Sequence, residues 1–437
     1  MTDTQTPYDF DFAVAGGGPA GSSAAIALAQ RGHSVVLFER DPFPRFHIGE
    51  SLLSTANDAF AALGVTERME AARFPDKWGA RLFTHDGESG RGVDFTDVTE
   101  VTKPKTVQVC REVFDKILLD RARELGVDVR EGFRVTNCDF ASDSAILDVG
   151  GADSSPVARI RVRAIVDATG RHGLLARKFN LRADEPLLAN IAVFSHYKNV
   201  PRLEGDRPDD IRLVARADAG WFWLIPISKE LMSVGVVVPK SLYLQWPKVS
   251  NEEALDRAIA DTPILAGLMR EATREWPVRV EKDFSYSASK YAGDRWILAG
   301  DAGSFLDPVF STGVSIAMES GIEAAAELDR AKTTNDFSAR QFAAFSRRQR
   351  KRFRTFRRFV VGFYTPQFRD LFFDPHPPKH IFKAVVTVLA GKWDSSLRTR
   401  LLNRVFFGLV AIQKRFSISR TRFRRDRSAG YPGEQTP

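Results

Sequence analysis

The sequence predicts an α/β fold in which a parallel-sheet domain is interrupted by an inserted antiparallel sheet and followed by a helical C-terminal region. Three observations predict it. An apolar, β-prone run at Phe10–Ala15 leads directly into Gly16-Gly17-Gly18-Pro19-Ala20-Gly21 and an alanine-rich amphipathic stretch at 22–30. The middle of the chain alternates apolar residues at strand period, most densely in Trp221-Phe222-Trp223-Leu224-Ile225-Pro226. After Ala331 the composition turns to Phe and Arg in helix-length stretches, with 374–378 as a proline-rich break. At 437 residues the chain is too long for one simple core, so two or three domains are expected.

The first element is the strand 10–15, followed by the glycine turn, the helix 22–30, a second strand at 34–38 and Glu39. This order of strand, G-x-G-x-x-G, helix, strand and acid is the Rossmann-like dinucleotide fingerprint. Gly16 permits the tight turn, Gly18 lets a pyrophosphate approach the backbone, and Gly21 lets helix pack on strand. Glu39 can accept from ribose hydroxyls. Two later segments narrow the dinucleotide to FAD. Val166-Asp167-Ala168-Thr169-Gly170-Arg171 ends a strand in a small-residue turn, and a buried strand at 296–300 ends in Gly300-Asp301-Ala302. Together these resemble the FAD-binding group that holds p-hydroxybenzoate hydroxylase-like monooxygenases, flavin-dependent halogenases and geranylgeranyl reductases. The resemblance gives Asp301 the ribityl chain of the flavin, although an aspartate there also suits an ordinary helix N-cap. It gives Arg111, opening a helix after a strand at 106–109, a flavin contact. It adds Ala20, Arg40, Ile48, Ser51 and Gly313 to the cofactor-binding set.

Four local patterns are similar to flavin-dependent halogenases. They are Trp221-x-Trp223-x-Ile225-Pro226, the segment Phe305-Leu306-Asp307-Pro308-Val309-Phe310-Ser311-Thr312-Gly313, the segment Phe43-Pro44-Arg45-Phe46-His47-Ile48-Gly49-Glu50-Ser51, and Lys77 within Phe74-Pro75-Asp76-Lys77-Trp78-Gly79-Ala80. The resemblance covers residues 8–335 and, more loosely, the C-terminal part. The first two patterns are specific; the last two also occur, blurred, in related reductases. In that family reduced flavin and oxygen convert chloride or bromide to hypohalous acid. The resemblance then implies a halide site at Ser311, Thr312 and Gly313, held by the amides of Thr312 and Gly313 in a turn whose dipole favours an anion. It implies that Lys77 hydrogen-bonds hypohalous acid or takes up its halogen, and burial would lower the amine's pKa for either task. Alternation along a strand puts Trp221 and Trp223 on one face, where they either fill a core or, with Pro226, partition substrate from flavin.

Two departures bear on substrate. Where the tryptophan-halogenating subgroup carries a glutamate before Ser-Thr-Gly, this chain has Phe310, which argues for phenols, pyrroles or carrier-protein-bound rings. That departure also leaves the base for the ring proton unassigned. Gly49-Glu50-Ser51 is followed by Leu52-Leu53-Ser54 rather than Leu-Leu-Pro. His47 and Glu50 suit acid–base work and satisfied structural roles equally. The competing functions are a geranylgeranyl-reductase-like oxidoreductase, whose motif is usually Y-x-W-x-F-P, and an aromatic monooxygenase. A complete flavin site argues against a non-enzymatic role.

The net charge of +8 is unevenly spread: residues 347–427 hold 22 lysines and arginines against 4 acids, so the remainder is acidic. A basic end of this kind fits a solvated helical face, an acidic acyl-carrier protein bearing the substrate, or peripheral contact with an anionic membrane. Arg352, Arg354 and Arg357 are the positions a docking test would reverse. Nucleic acid is not expected, because no binding motif accompanies the charge. Cys110 and Cys138 give neither a disulfide framework nor a metal cluster, which suits a reducing, cytoplasmic setting. No metal site is expected. Residues 1–7 lack an apolar signal core, and the most apolar run, 401–413, is broken by Arg404. No strong NAD(P)H site is legible, so FADH2 is expected from a separate flavin reductase.

The expected organisation is FAD-binding at 8–80, 111–187 and 287–335, the last segment carrying the halide turn and its helix. A substrate sheet occupies 81–110 and 188–286, a basic helical region 336–427, and a disordered tail 428–437.

Overall fold

The computed structural model describes residues 8–416, 418 and 419, except 89, 99, 152–155, 283, 284 and 375. The expected tail and Pro375 of the proline-rich break lie outside the described residues.

The nucleotide-type sheet runs in the order Ala292–Gly293, Trp296–Leu298, Pro156–Asp167, Phe10–Ala15, Val35–Glu39, Asp128–Glu131. From Trp296–Leu298 onward, neighbours along this order pair in parallel. Pro156–Asp167 serves two partners. Its first half pairs antiparallel with Ala145–Gly150, and its second half lies parallel to Phe10–Ala15. The near-continuous apolar character of 10–15 and 34–38 follows from burial on both faces of a parallel sheet.

On one face of this sheet the Pro19–Ala29 helix is clamped against a 22-residue helix, Gly313–Thr334. Gly321 allows the contact: a Cβ on it would lie 2.2 Å from the Ala20 carbonyl oxygen. Gly21 packs the first helix on its own turn, since a Cβ there would lie 1.8 Å from the Gly16 carbonyl oxygen.

The second large sheet runs Thr273–Arg274, Asn190–Lys198, Met232–Pro239, Trp221–Pro226, Ile211–Ala215, Gly79–Thr84, Gly90–Asp94. It is antiparallel except where Ile211–Ala215 lies parallel to Gly79–Thr84. Among the described residues, the strand character expected over 82–110 is found in Gly79–Thr84, Gly90–Asp94 and Thr106–Val107, the last pairing with Asp76–Lys77 as a separate ribbon. Strand 106–109 is accordingly shorter than expected, because the backbone turns at Val109 to start the Arg111–Glu124 helix.

One face of the second sheet packs on two short helices, Asn251–Ala260 and Pro263–Leu268, through Val193, Phe222 and Val236. The other face carries Ala192, Phe194, Trp221 and Trp223 into an aromatic layer beneath the C-terminal helices. Those helices are Ala343–Phe363, Pro366–Phe372, Lys379–Leu389 and Leu397–Gln413. Among the described residues no helix is long and apolar enough to cross a membrane.

Candidate active site

The glycine turn is built as a phosphate cradle. Gly16 adopts φ +103°, and a Cβ there would meet the Ala168 carbonyl oxygen at 2.3 Å. This fixes the turn against the strand that ends at Asp167. Gly18 precedes the helix with nothing closer to its virtual Cβ than the Arg45 guanidinium at 3.5 Å, so the approach to its backbone is open. The first amides of the following helix have no intrahelical acceptor, which favours an anion. Glu39 is buried, and its Oε2 accepts from the Gly17 amide at 2.7 Å. Arg40 instead lies on the surface beside Asp41, its Nε 3.0 Å from the carboxylate.

Arg111 is buried and holds Asp115 through both Nε and Nη2, at 2.7 and 2.8 Å. Its Nη1 donates to the Ile48 carbonyl at 2.5 Å, tying the 46–51 loop to the helix start. Burial alone would raise the Asp115 carboxyl, but the Arg111 guanidinium, aided by Arg45, outweighs it and holds the group below its usual range. His47 lies at the exposed edge of this loop with Nδ1 at 2.8 Å from the Ile48 oxygen. Glu50 and His196 form a buried pair, Oε1 to Nε2 at 2.8 Å.

Asp301 follows Gly300, which takes φ +59° and donates its amide to Ser320 Oγ on the Gly313–Thr334 helix. The Asp301 carboxyl borders a small cavity shared with Thr312, Gly313, Gln349, Arg352 and Phe353. Burial pushes its pKa up to about 6, with Arg111 and Arg171 opposing. A carboxyl desolvated beside a glycine cradle is a ready acceptor for polyol hydroxyls, so these residues could hold a flavin dinucleotide: Gly18 and Ala20 at the pyrophosphate, on a turn that Gly16 and Gly21 shape, Glu39 at the ribose and Asp301 at the ribityl chain.

Pro308–Phe310 forms one turn of 3-10 helix, and Ser311 then takes φ +56°. That left-handed residue re-aims the chain so that Thr312 caps the long helix and Gly313 begins it. The Ser311 amide donates to the Pro308 carbonyl at 2.8 Å, whereas Thr312 and Gly313 stand at the helix start, where amides lack intrahelical acceptors and suit an anion. Phe310 is buried edge-on against Phe363 and Phe372.

Lys77 is 1% exposed. Its ammonium donates to Ser51 Oγ at 2.7 Å and to the Leu52 carbonyl at 2.8 Å, and lies 5.4 Å from the centre of the Phe95 ring. Among the described residues it has no carboxylate within ion-pair distance. Burial lowers its pKa from 10.5 to about 7, against the pull of Asp210. Ser51, expected at the cofactor, therefore has Lys77 as its hydrogen-bond partner. Phe95 belongs to the same apolar cluster as Trp221, Trp223 and Phe310.

Trp221 and Trp223 share a face with ring centres 5.9 Å apart, and both are buried in the aromatic layer. They are core residues of that layer. Pro226 ends their strand opposite Met232. The sequence did not reveal what holds them. Trp221 Nε1 donates to Tyr364 Oη at 2.7 Å, and Tyr364 donates to Asp307 Oδ2 at 2.7 Å. Asn190 Nδ2 donates to the same Asp307 oxygen at 2.8 Å. Burial pushes the Asp307 carboxyl up to about 6. Its Asp-Pro position before the 3-10 turn was the available signal, since Asp307 caps Val309. Tyr364 offered none, because it comes from a distant helix.

Arg352, expected on the basic surface, is buried instead. It pairs with Glu323 at 2.5 Å and Glu319 at 3.2 Å, and donates to Gln349 Oε1 at 2.9 Å. Arg357 pairs with Glu185 at 2.7 Å. A run of arginines on one helix has two faces, and only the tertiary contacts separate them.

A glycine cradle, an acid at the end of the second strand and a buried Gly-Asp carboxyl define an FAD-dependent oxidoreductase. In agreement, a family model for FAD dependent oxidoreductase matches residues 11–178, and one for tryptophan halogenase matches 106–373. The chain is 30% identical over 428 residues to the 1H-pyrrole-2-carbonyl-(peptidyl-carrier protein) chlorinase of Pseudomonas fluorescens, covering 93% of this chain and 94% of that one. It is 35% identical over 339 residues to the corresponding brominase of Pseudoalteromonas luteoviolacea, covering 76% and 80%. A crystal structure of a flavoprotein/dehydrogenase from Cytophaga hutchinsonii superposes with a TM-score of 0.84 at 28% identity, covering 93% of this chain and 98% of that one. The protein belongs to the flavin-dependent halogenase family.

Proposed function

We propose that this protein halogenates an electron-rich aromatic ring, delivering the halogen through Lys77, and that the ring is a phenol or pyrrole presented as a carrier-bound acyl thioester. The observation that carries the reading is Lys77: a buried amine with two neutral acceptors and a pKa near 7. Bound as FADH2 with O2, the cofactor supplies the oxidising equivalent that turns chloride or bromide into hypohalous acid. At the turn made by Ser311, the amides of Thr312 and Gly313 hold the halide. Neutral Lys77 attacks the halogen of hypohalous acid: an N–halogen bond forms, the O–halogen bond breaks, and the departing hydroxide leaves as water with an amine proton. The ring then takes the halogen and its displaced proton returns to the Lys77 nitrogen. Protonated, the same residue can only hydrogen-bond the acid, so a pKa near pH 7 keeps the amine available.

The carrier-bound class is supported by the chlorinase and brominase relatives, whose substrates are pyrrolyl-carrier thioesters. Phe310, buried where a glutamate would meet free tryptophan, supports it too. Trp221 and Trp223 serve as the partition that keeps the ring from direct oxygenation. FADH2 arrives by diffusion from a separate flavin reductase.

The test is incubation with a flavin reductase, FAD, NADH and bromide against phenols, pyrroles, free tryptophan and a pyrrole-2-carbonyl thioester on a carrier protein. Mass spectra of the product should carry the bromine isotope doublet, and Lys77→Ala should abolish it. A product that gains only oxygen would overturn the proposal.

A further inference from the structure

The Ala343–Phe363 helix has two unlike faces. Gln349, Arg352 and Phe353 border the cavity shared with Asp301, Thr312 and Gly313. On the opposite side Arg347, Arg350, Lys351, Arg354 and Arg358 recur at helical spacing, all exposed. They face Arg400 and Arg404 of the Leu397–Gln413 helix across a groove of about 420 Å³. Among the described residues none of these seven cations has a carboxylate within ion-pair distance, whereas Arg348 and Arg352 on the inner side are paired. The floor is aromatic: Trp393, Phe359 and Phe407.

The far helix adds a second, independent signal. Leu397, Leu401, Val405 and Ile412 fall within one stripe of it, and Leu397 and Leu401 are 76% and 60% exposed. Its inward face carries Thr399, Asn403, Phe406 and Gln413. A helix that leaves a row of large apolar side chains in water marks a surface with a partner. Apolar residues flanked by free arginines match an acidic amphipathic helix accompanied by a phosphate. A second copy placing the same face here would oppose like charges.

We propose that this groove docks an acidic carrier domain, its helix on the apolar stripe and the phosphodiester of its arm among Arg350, Arg354 and Arg404. This rests on the carrier-bound reading above. The geometry joins the two sites: one helix, about 10 Å thick with its side chains, separates groove from cavity, a distance a flexible acyl-bearing arm can round.

The experiment compares two substrates in the FAD-loaded enzyme: pyrrole-2-carbonyl thioester on an acidic peptidyl-carrier domain, and the same acyl group on free pantetheine. In Arg350→Glu/Arg404→Glu, KM for the carrier substrate should rise at least tenfold while kcat/KM for the pantetheine thioester stays within twofold. Unchanged KM for both overturns the docking surface and leaves the carrier-bound reading standing. A wild-type enzyme that halogenates pantetheine or free pyrroles but never the carrier thioester overturns both. Flotation of wild type with phosphatidylserine vesicles, lost in the variant while carrier KM is unchanged, assigns the groove to a membrane surface and overturns carrier docking.

Discussion

Lys77 costs the fold stability. Its amine titrates near 7 in the folded chain and near 10.5 when unfolded, so between those values the unfolded chain holds more protons. The penalty is full below about pH 7, on the order of 5 kcal/mol, and fades as pH rises toward 10.5. Lys77→Met should therefore stabilise the protein, with the gain in urea unfolding larger at pH 6.5 than at 9.5, while halogenation is lost. Tyr364 gives the opposite sign. Tyr364→Phe leaves the Trp221 N–H and an Asp307 oxygen short of a partner and should cost about 1–3 kcal/mol of unfolding free energy, read by the same denaturation. Lys77 was legible through its sequence context, whereas its partner Ser51 and the Trp221–Tyr364–Asp307 chain were not. Those contacts join residues brought together only by packing.

At the level of elements, what the sequence carried was local. The glycine turn, the paired strands 211–215 and 221–226, and the long helix after Gly313 all follow from spacing and turn residues, and the structure contains them. Less legible was pairing between distant segments, such as Gly79–Thr84 lying parallel to Ile211–Ala215, because register depends on partners far away in sequence. The contact between the Pro19–Ala29 and Gly313–Thr334 helices is of this kind too. Gly321→Ala would drive a methyl to 2.2 Å from the Ala20 carbonyl oxygen. Since backbone, not a flexible side chain, must yield, FAD affinity measured by fluorescence titration should fall at least tenfold.

Across the whole molecule, charge is divided. The 347–427 segment is strongly basic and the rest of the chain acidic. Such asymmetry steers an oppositely charged partner and is screened within about 8 Å at physiological salt. Raising sodium chloride from 50 to 300 mM, about a sixfold change that shortens the screening length further, should raise KM for a carrier-bound substrate and leave that for its pantetheine analogue unchanged. The sequence carried the total charge, but not its partition between the ion-paired inner row, with Arg352, and the outer row around Arg354.

The glycine contact between those two helices has a consequence for how this scaffold can diversify. One helix starts at the dinucleotide cradle and the other at the halide turn, and they touch backbone to backbone. On the proposed function, this joint, which tolerates no extra atom, sets the cofactor cradle and the Ser311–Gly313 turn in fixed registration. The aromatic and basic C-terminal helices lie outside that joint. Ring choice and partner choice can drift there while the oxidising half of the chemistry keeps its alignment.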